Sequence, residues 1–279
     1  MFRIIGDSSC DLTSLAHISP DILYGRAPLR VIVDDVEYVD TYDLDTRAMM
    51  DAVYGFKGKT GSACPSPEEY AELCRDVDEA YIVTISSNLS GSYNSAVLAR
   101  DLVLAESPEK KIHVFDSLSA GPELSLIVEK IARLASAGLA FEEVVAQVQE
   151  YMTHTALLFQ LNSLENLTKN GRVSKMAGMT AKLLGIRMIG IASAVGTVEP
   201  LHKSRGTEKT YGLVLQEMRE RGFTGGRVVL GHAFQEAGAE MMRQMILNEF
   251  PTSNITVMPL SGLCCYYAEE GGLLVGFEK

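Results

Sequence analysis

The sequence predicts an α/β protein in two parts: an N-terminal parallel-sheet α/β domain over residues 1–153 and a C-terminal mixed-sheet α+β domain over residues 154–279. Three observations lead there. The 279 residues exceed the usual span of one compact domain and fall short of three. The first half alternates short apolar runs with amphipathic stretches, as a parallel sheet flanked by helices does. From about His154, strand-like runs come in adjacent pairs as well as singly, which argues for a mixed sheet.

In order along the chain, "FRII" reads as a strand and "GDSSCDL" as a turn, because Asp7, Ser8 and Ser9 can all bond the local backbone. "PLRVIV" and "VEYVD" alternate apolar and polar side chains as a half-exposed hairpin does. "DTRAMMDAVYG" has Asp45 as a helix cap and Gly55 as a stop. "PSPEEYAELCRDV" opens a helix: Ser66 stands three before Glu69 as in a capping box, and Pro67 fills the first helical position. "AYIVTI" and "KIHVFD" are strands, each leading into a helix, from about Gly91 to Leu104 and within "SLSAGPELSLIVEKIARLASAG". "FEEVVAQVQEYM" is a further helix. In the second part "HTALLFQL" is a strand, and "SLENLTKNGRVSKMAGMTAKLLG" reads as two short helices hinged at Asn170 and Gly171. "RMIGIAS" and "TVEPLHK" form hairpin strands. Helices "TEKTYGLVLQEMRERG" and "QEAGAEMMRQMILNEF" then alternate with strands "GRVVLGHA", "NITVMPL" and "GGLLVGFEK".

A formal net charge of −11 argues against a nucleic-acid footprint, which needs an excess of Lys and Arg. No apolar stretch reaches the roughly 18 residues that span a bilayer; "AKLLGIRMIGIASAVG" is interrupted by Arg187 and by glycines. The start, "MFRIIGDSSCD", lacks the cationic and long apolar regions of a secretory signal. The five cysteines include no C-x-x-C and resist complete pairing. These features predict a cytoplasmic protein that does not span a membrane.

Two hydroxyl-rich stretches stand before helices, "TGSACPSP" (60–67) and "TISSNLSGSYNSA" (84–96). A helix start exposes unpaired N–H groups with partial positive character. No Lys or Arg lies between Thr84 and Ala96, so a ligand held there carries modest charge, such as one carboxylate, rather than a polyphosphate. The alternative is that the serines simply cap the helix. In a parallel sheet, loops at one edge converge on a shared crevice, so two such turns could hold a carboxylate from both sides.

Taken together and in order, "DSSCDL", "SACPSP", "SSNLSGSYNSA", "VFDSLSAG", "NGRVS" and "KSR" resemble the DegV family of bacterial fatty-acid-binding proteins over nearly the full chain. The resemblance implies two α/β domains with one long-chain fatty acid between them, its carboxylate held by hydroxyls and its tail buried. It implies no cofactor and no catalysis by the chain itself, which would present the acid to a separate fatty acid kinase that makes the acyl phosphate. Ser62 takes the place of the family's ligand-binding threonine, and Ser90 that of the serine in its Leu-Ser-Gly element. Arg205, in "HKSRG", matches a family arginine near the head group, and at the helix start Gly91 would let the ligand approach the backbone, whose amides there help hold the carboxylate. Ala63 departs from the usual serine. Where relatives carry a His-Thr-Gly-Pro-Gly-like element, this chain reads "GLCCYYAEEGG", and a polar contact from the second domain is expected to be missing there.

Hydrophobic residues make up 47% of the chain, and several of its 12 methionines cluster in "KMAGMTAKLLGIRMIGIAS" and "EMMRQMI", which suits an adaptable lipid channel as well as ordinary core filling. Rival readings are weaker. A serine hydrolase acting on acyl esters lacks support because "GSYNS" lacks the second glycine of G-x-S-x-G; His232, after a strand, is the histidine to consider. The acidic run "VDDVEYVDTYDLD" does not follow calcium-loop spacing, and no metal site is expected. A small phosphorylated metabolite remains conceivable, with Arg172 and Arg205 supplying charge.

Overall fold

The computed structural model describes residues 1–173 and 185–279. Along the chain run β1 (Phe2–Asp7), β2 (Leu23–Ala27), β3 (Arg30–Val33), β4 (Val36–Val39), α1 (Thr46–Gly55), β5 (Thr60–Ala63), α2 (Pro67–Arg75), β6 (Glu79–Thr84), α3 (Ser92–Glu106), β7 (Lys111–Asp116), α4 (Pro122–Ser136) and α5 (Phe141–Met152). The remainder comprises β8 (Thr155–Leu161), α6 (Glu165–Lys169), β9 (Arg187–Ala192), β10 (Val198–Ser204), α7 (Thr207–Glu220), β11 (Arg227–His232), α8 (Glu236–Glu249), β12 (Asn254–Pro259), α9 (Gly262–Ala268) and β13 (Leu273–Glu278).

The fold class is the expected one. Strands β2-β1-β6-β7 form a parallel sheet, with Ile5 opposite both Gly25 and Ile82, and Val83 opposite Phe115. Parallel strands are covered on both faces, which is why "RIIG" and "AYIVT" are near-continuous apolar runs. Side chains of α2 and α3, among them Tyr70, Ala96 and Val103, pack with Ile5 and Ile82. On the other face Leu124, Ile127 and Ile131 of α4 and Val144 of α5 pack with Ile4, Tyr81 and Val83. A second sheet, β10-β9-β8-β13-β11-β12, is mixed: β11 and β12 are parallel and the other neighbours antiparallel. α4 also packs on β8, β11 and β13 of this sheet, so it lies between the two sheets. Hence even its Glu123 and Glu129 are buried.

The predicted hairpin is β3–β4, with Asp34 in the left-handed conformation at its turn. α1 is capped by Asp45, and α2 carries the full capping box of Ser66 and Glu69. Some elements differ from expectation. Within "SLSAGPELSLIVEKIARLASAG", α4 begins only at Pro122, because Leu118 takes a φ of +52° and Ser117 and Ser119 bond each other instead of a helical turn. "TGSA" was expected as a turn but is a strand, β5, paired antiparallel to β3 with Val31 opposite Ser62. β2 and α9 were not foreseen. Of the two helices expected around Asn170, the first is α6, and the second lies outside the described residues.

The amino end of α9 is fastened to the first half of the chain. Fully buried Asp40 accepts hydrogen bonds from the amides of Gly262 and Leu263, both at 2.9 Å, and from the Arg26 guanidinium at 2.9 Å. The Arg26 side chain is 5% exposed. Asp40→Ala would therefore strand a buried cation and two amides, and it is expected to cost about 3–5 kcal/mol of stability in urea unfolding.

Candidate functional site

The carboxyl ends of β1 and β6 meet at a buried acid. Asp7 accepts from the Ser9 amide (3.2 Å) and hydroxyl (2.5 Å), the Ile85 amide (2.8 Å) and the Ser92 hydroxyl (2.7 Å). Burial pushes its pKa up, and the Ser9 and Ser92 bonds oppose that. These bonds fix both the turn after β1 and the loop from Ile85 to the start of α3. In that loop the Ser90 Oγ accepts from the Ser92 amide at 3.2 Å, which leaves the Ser90 hydroxyl proton free to donate elsewhere. The β9–β10 turn leans on the same loop: Ser86 Oγ donates to Gly196 O (2.7 Å) and Asn88 Nδ2 to Val195 O (2.8 Å). Gly196 has a φ of +72°, and a Cβ there would lie 2.2 Å from Ser86 Oγ, so glycine is required.

Ser62 on β5 shares a 2.7 Å hydrogen bond with the Tyr267 phenol of α9. One hydroxyl of such a pair donates to the other, and the second proton remains available. Beside it Thr60 Oγ1 pairs with the Tyr266 phenol at 2.7 Å, and Asn170 Nδ2 donates to that phenol at 2.9 Å. Burial raises the Tyr267 pKa, so the phenol stays protonated. Arg172, just past α6, donates from Nε to Leu89 O at 3.1 Å and from its terminal nitrogen to Asn170 O, which sets a guanidinium next to Ser90. The two serine segments touch: a Cβ on Gly91 would stand 3.1 Å from the sulfur of Cys64, two residues past Ser62.

These groups border a cavity of about 840 Å³, its opening to solvent included. Its polar lining includes Ser62, Ser90, Ser119, Arg172, Thr197 and Tyr267. The rest is apolar: Leu29 and Ile85 come from the first half of the chain, and Leu157, Phe159, Leu161 and Leu274 from one face of the mixed sheet. Such a space suits an oily body with one small polar end.

Ser62 and Ser90 thus line one cavity. Gly91 is exposed, faces Cys64, and is not among the lining residues. Arg205 lies exposed after β10, also outside the lining; Arg172 brings a positive charge to the cavity instead. "GLCCYYAEEGG" does not leave the second half without a polar contact, because it forms α9 and supplies Tyr267. Its seven-residue helix is too short to show periodicity, and the paired tyrosines were its one visible signal. His232 is not in the lining either, and burial lowers its pKa. Among the described residues no group of three or more His, Cys, Asp or Glu could hold a metal ion, and no helix is long and apolar enough to cross a membrane.

The architecture and this cavity define the class, and comparison with known proteins agrees. The family model described as "Uncharacterised protein, DegV family" matches residues 1–279, and the chain belongs to the DegV family. It is 43% identical over 277 residues to a DegV domain-containing protein of Streptococcus pneumoniae, covering 99% of each chain. Among solved structures, the S. pneumoniae Fatty Acid Kinase (Fak) B3 protein loaded with linoleic acid matches with a TM-score of 0.96 at 43% identity, over 100% of this chain and 99% of that one. A DegV family protein from Eubacterium eligens loaded with heptadecanoic acid matches with a TM-score of 0.96 at 36% identity over 100% of both chains. One from Ruminococcus gnavus, refined with vaccenic acid, matches with a TM-score of 0.91 at 30% identity over 99% of both chains.

Under the cavity wall sits a second buried acid. Asp11 Oδ1 accepts from the Ser261 amide (2.8 Å) and hydroxyl (2.6 Å), while Oδ2 is buried without a hydrogen-bond partner. Burial raises its pKa to about 7, against the Ser261 bonds. The folded state therefore holds this proton from about pH 4 to about pH 7 while the unfolded chain releases it, so Asp11 lowers stability as pH rises through that window. Asp11→Asn keeps an acceptor for Ser261 and removes the charge. Its stability relative to wild type should rise between pH 4 and 7, by on the order of a few kcal/mol, and level off above. Urea melts at pH 4.5, 6 and 8 check this; parallel curves would show that Asp11 ionises normally.

Proposed function

We propose that this protein is a cytoplasmic carrier of a long-chain fatty acid, which it presents to a separate fatty acid kinase for acyl-phosphate formation without catalysing chemistry itself. The observation that carries the reading is the meeting of an apolar cavity with neutral hydroxyls and one guanidinium. In it Ser62 and Ser90 donate to the carboxylate, Tyr267 orients Ser62 or donates directly, and Arg172 balances the charge. Residues 1–153 and 154–279 act as two domains, each giving one wall. The fatty acids bound by the Streptococcus, Eubacterium and Ruminococcus relatives support the ligand class, and the Fak name of the first supports the kinase.

The energetics fit this division of labour. At about 0.8 kcal/mol per buried methylene, a tail of about fourteen methylenes contributes on the order of 10 kcal/mol before entropy losses, so the polar groups need only orient the head. A phosphorylated sugar fits poorly, since its hydroxyls would face leucines. Ester hydrolysis fits poorly too: Ser62 is paired with a phenol and Ser90 with an amide, and neither has a histidine as base.

Ser62→Ala combined with Ser90→Ala removes two bonds to a charged group and should weaken binding roughly a hundredfold in titration calorimetry, with the fold intact. Unchanged affinity would defeat the head-group assignment. Tyr267→Phe alone should weaken binding about tenfold or less, since Ser62 keeps its own donor. Mass spectrometry of organic extracts from the purified protein should find an acyl chain of defined length.

A further inference from the structure

The face of the mixed sheet that turns away from the cavity carries three polar side chains with unmet hydrogen bonds. On β9, Met188 packs with the cavity-side core and Ile189 with Tyr211 and Val214 of α7, so by alternation Arg187 lies on the α7 side. Ser204 of β10 is paired directly opposite Arg187 and shares that face. Arg187 Nη1, Ser204 Oγ and Tyr211 Oη are each buried without a hydrogen-bond partner. Ser204 is 4% exposed and Tyr211 0%. Buried polar groups rarely go unpaired, so three orphans on adjoining elements mark a missing partner.

Two features give that partner a negative charge. Glu217, the buried carboxylate of α7, is already taken by His202 and Arg221, and among the described residues no carboxylate forms an ion pair with Arg187. A half-buried guanidinium without a counter-charge is costly. The Tyr211 phenol also lies against the first turn of α8, where a Cβ on Gly238 would stand 2.5 Å from its oxygen. That helix start has no side-chain cap, its one early acid, Glu236, is exposed, and its unpaired amides add partial positive character. Gln235 beside it gives its amide to Gly271 O. Burial raises the Tyr211 pKa against the opposing charge of Arg187, so the phenol keeps its proton and lies within electrostatic reach of the guanidinium.

We propose that Arg187, Ser204 and Tyr211 form a binding site for one small, singly charged anion, of the size of chloride or bicarbonate, between β9, β10 and α7. One guanidinium balances one negative charge, and two hydroxyls complete the set of donors. The site lies across the sheet from the fatty-acid cavity and does not rest on that reading. Its occupant ties the neighbouring ends of β9 and β10 to α7, so its effect is read in stability.

The test uses the full-length protein and bromide, a chloride-like anion that anomalous scattering locates. At constant ionic strength made up with bulky gluconate, bromide should stabilise wild type saturably in urea unfolding, lowering the unfolding constant about tenfold at ten times its dissociation constant. Arg187→Gln keeps a donor but removes the charge, and it should lose that response. Crystals grown in sodium bromide should show an anomalous peak within hydrogen-bond reach of all three side chains. A water at that position, a peak with no stabilising response in solution, or an equal response in wild type and Arg187→Gln overturns the proposal. Should Arg187→Gln not fold, Tyr211→Phe must weaken bromide binding about threefold or more through the lost donor; an unchanged bromide midpoint there is equally decisive against it.

Discussion

The grip of two carboxylates on the start of α9 is the constraint on which the polar end of the cavity depends. Asp40 lies 222 positions before Gly262 in sequence, and Asp11 lies 250 before Ser261, yet together they take up the amides of Ser261, Gly262 and Leu263. Without side-chain acceptors these amides would be unsatisfied in the interior. The geometry fixes the rotation of a helix only seven residues long. That rotation sends Tyr266 to Thr60 and Tyr267 to Ser62. Burying the Arg26–Asp40 pair is costly in itself, and its use is best understood as register: it defines one seat for a helix too short to hold itself.

Around this seat the architecture assigns separate tasks. The parallel sheet supplies loops at its carboxyl edge, which is where open α/β sheets present ligand-contacting residues. Asp7 makes that edge rigid by joining the turn after β1 to the start of α3. The mixed sheet supplies a flat apolar face, and α4 keeps the two sheets apart by packing on both. Arg172 comes from neither sheet, yet it reaches across to the Leu89 carbonyl. It gives the cavity a positive charge that the serine loop, with no Lys or Arg between Thr84 and Ala96, does not supply.

Most of the scaffold was legible because its signals are local. Buried parallel strands are apolar runs, Ser66 and Glu69 stand at capping-box spacing, and Asp45 precedes a helical pattern, so β1, β6, α1 and α2 fell where the sequence placed them. The serines of the cavity were legible from their motifs and neighbours. What stayed hidden depends on distant partners. "TGSA" has no alternation and becomes a strand only because the edge of β3 is there to pair with it. "GLCCYYA" is a helix because acids from the far end of the chain cap it. Arg172 rather than Arg205 lines the cavity because a turn after α6 aims it there, and nothing near either arginine in sequence distinguishes them.

The position of α9 in the order of elements bears on biosynthesis. Of the strands that border the cavity, β5, β8, β9 and β10 precede it and β13 follows, so the central strand that joins β8 to β11 is made only after α9. Until both are made, Leu157 and Phe159 of β8 lack the β13 strand beside them, and Ser62 lacks its Tyr267 partner. Setting the hydroxyl pair and closing the mixed sheet therefore wait on the same late stretch of chain.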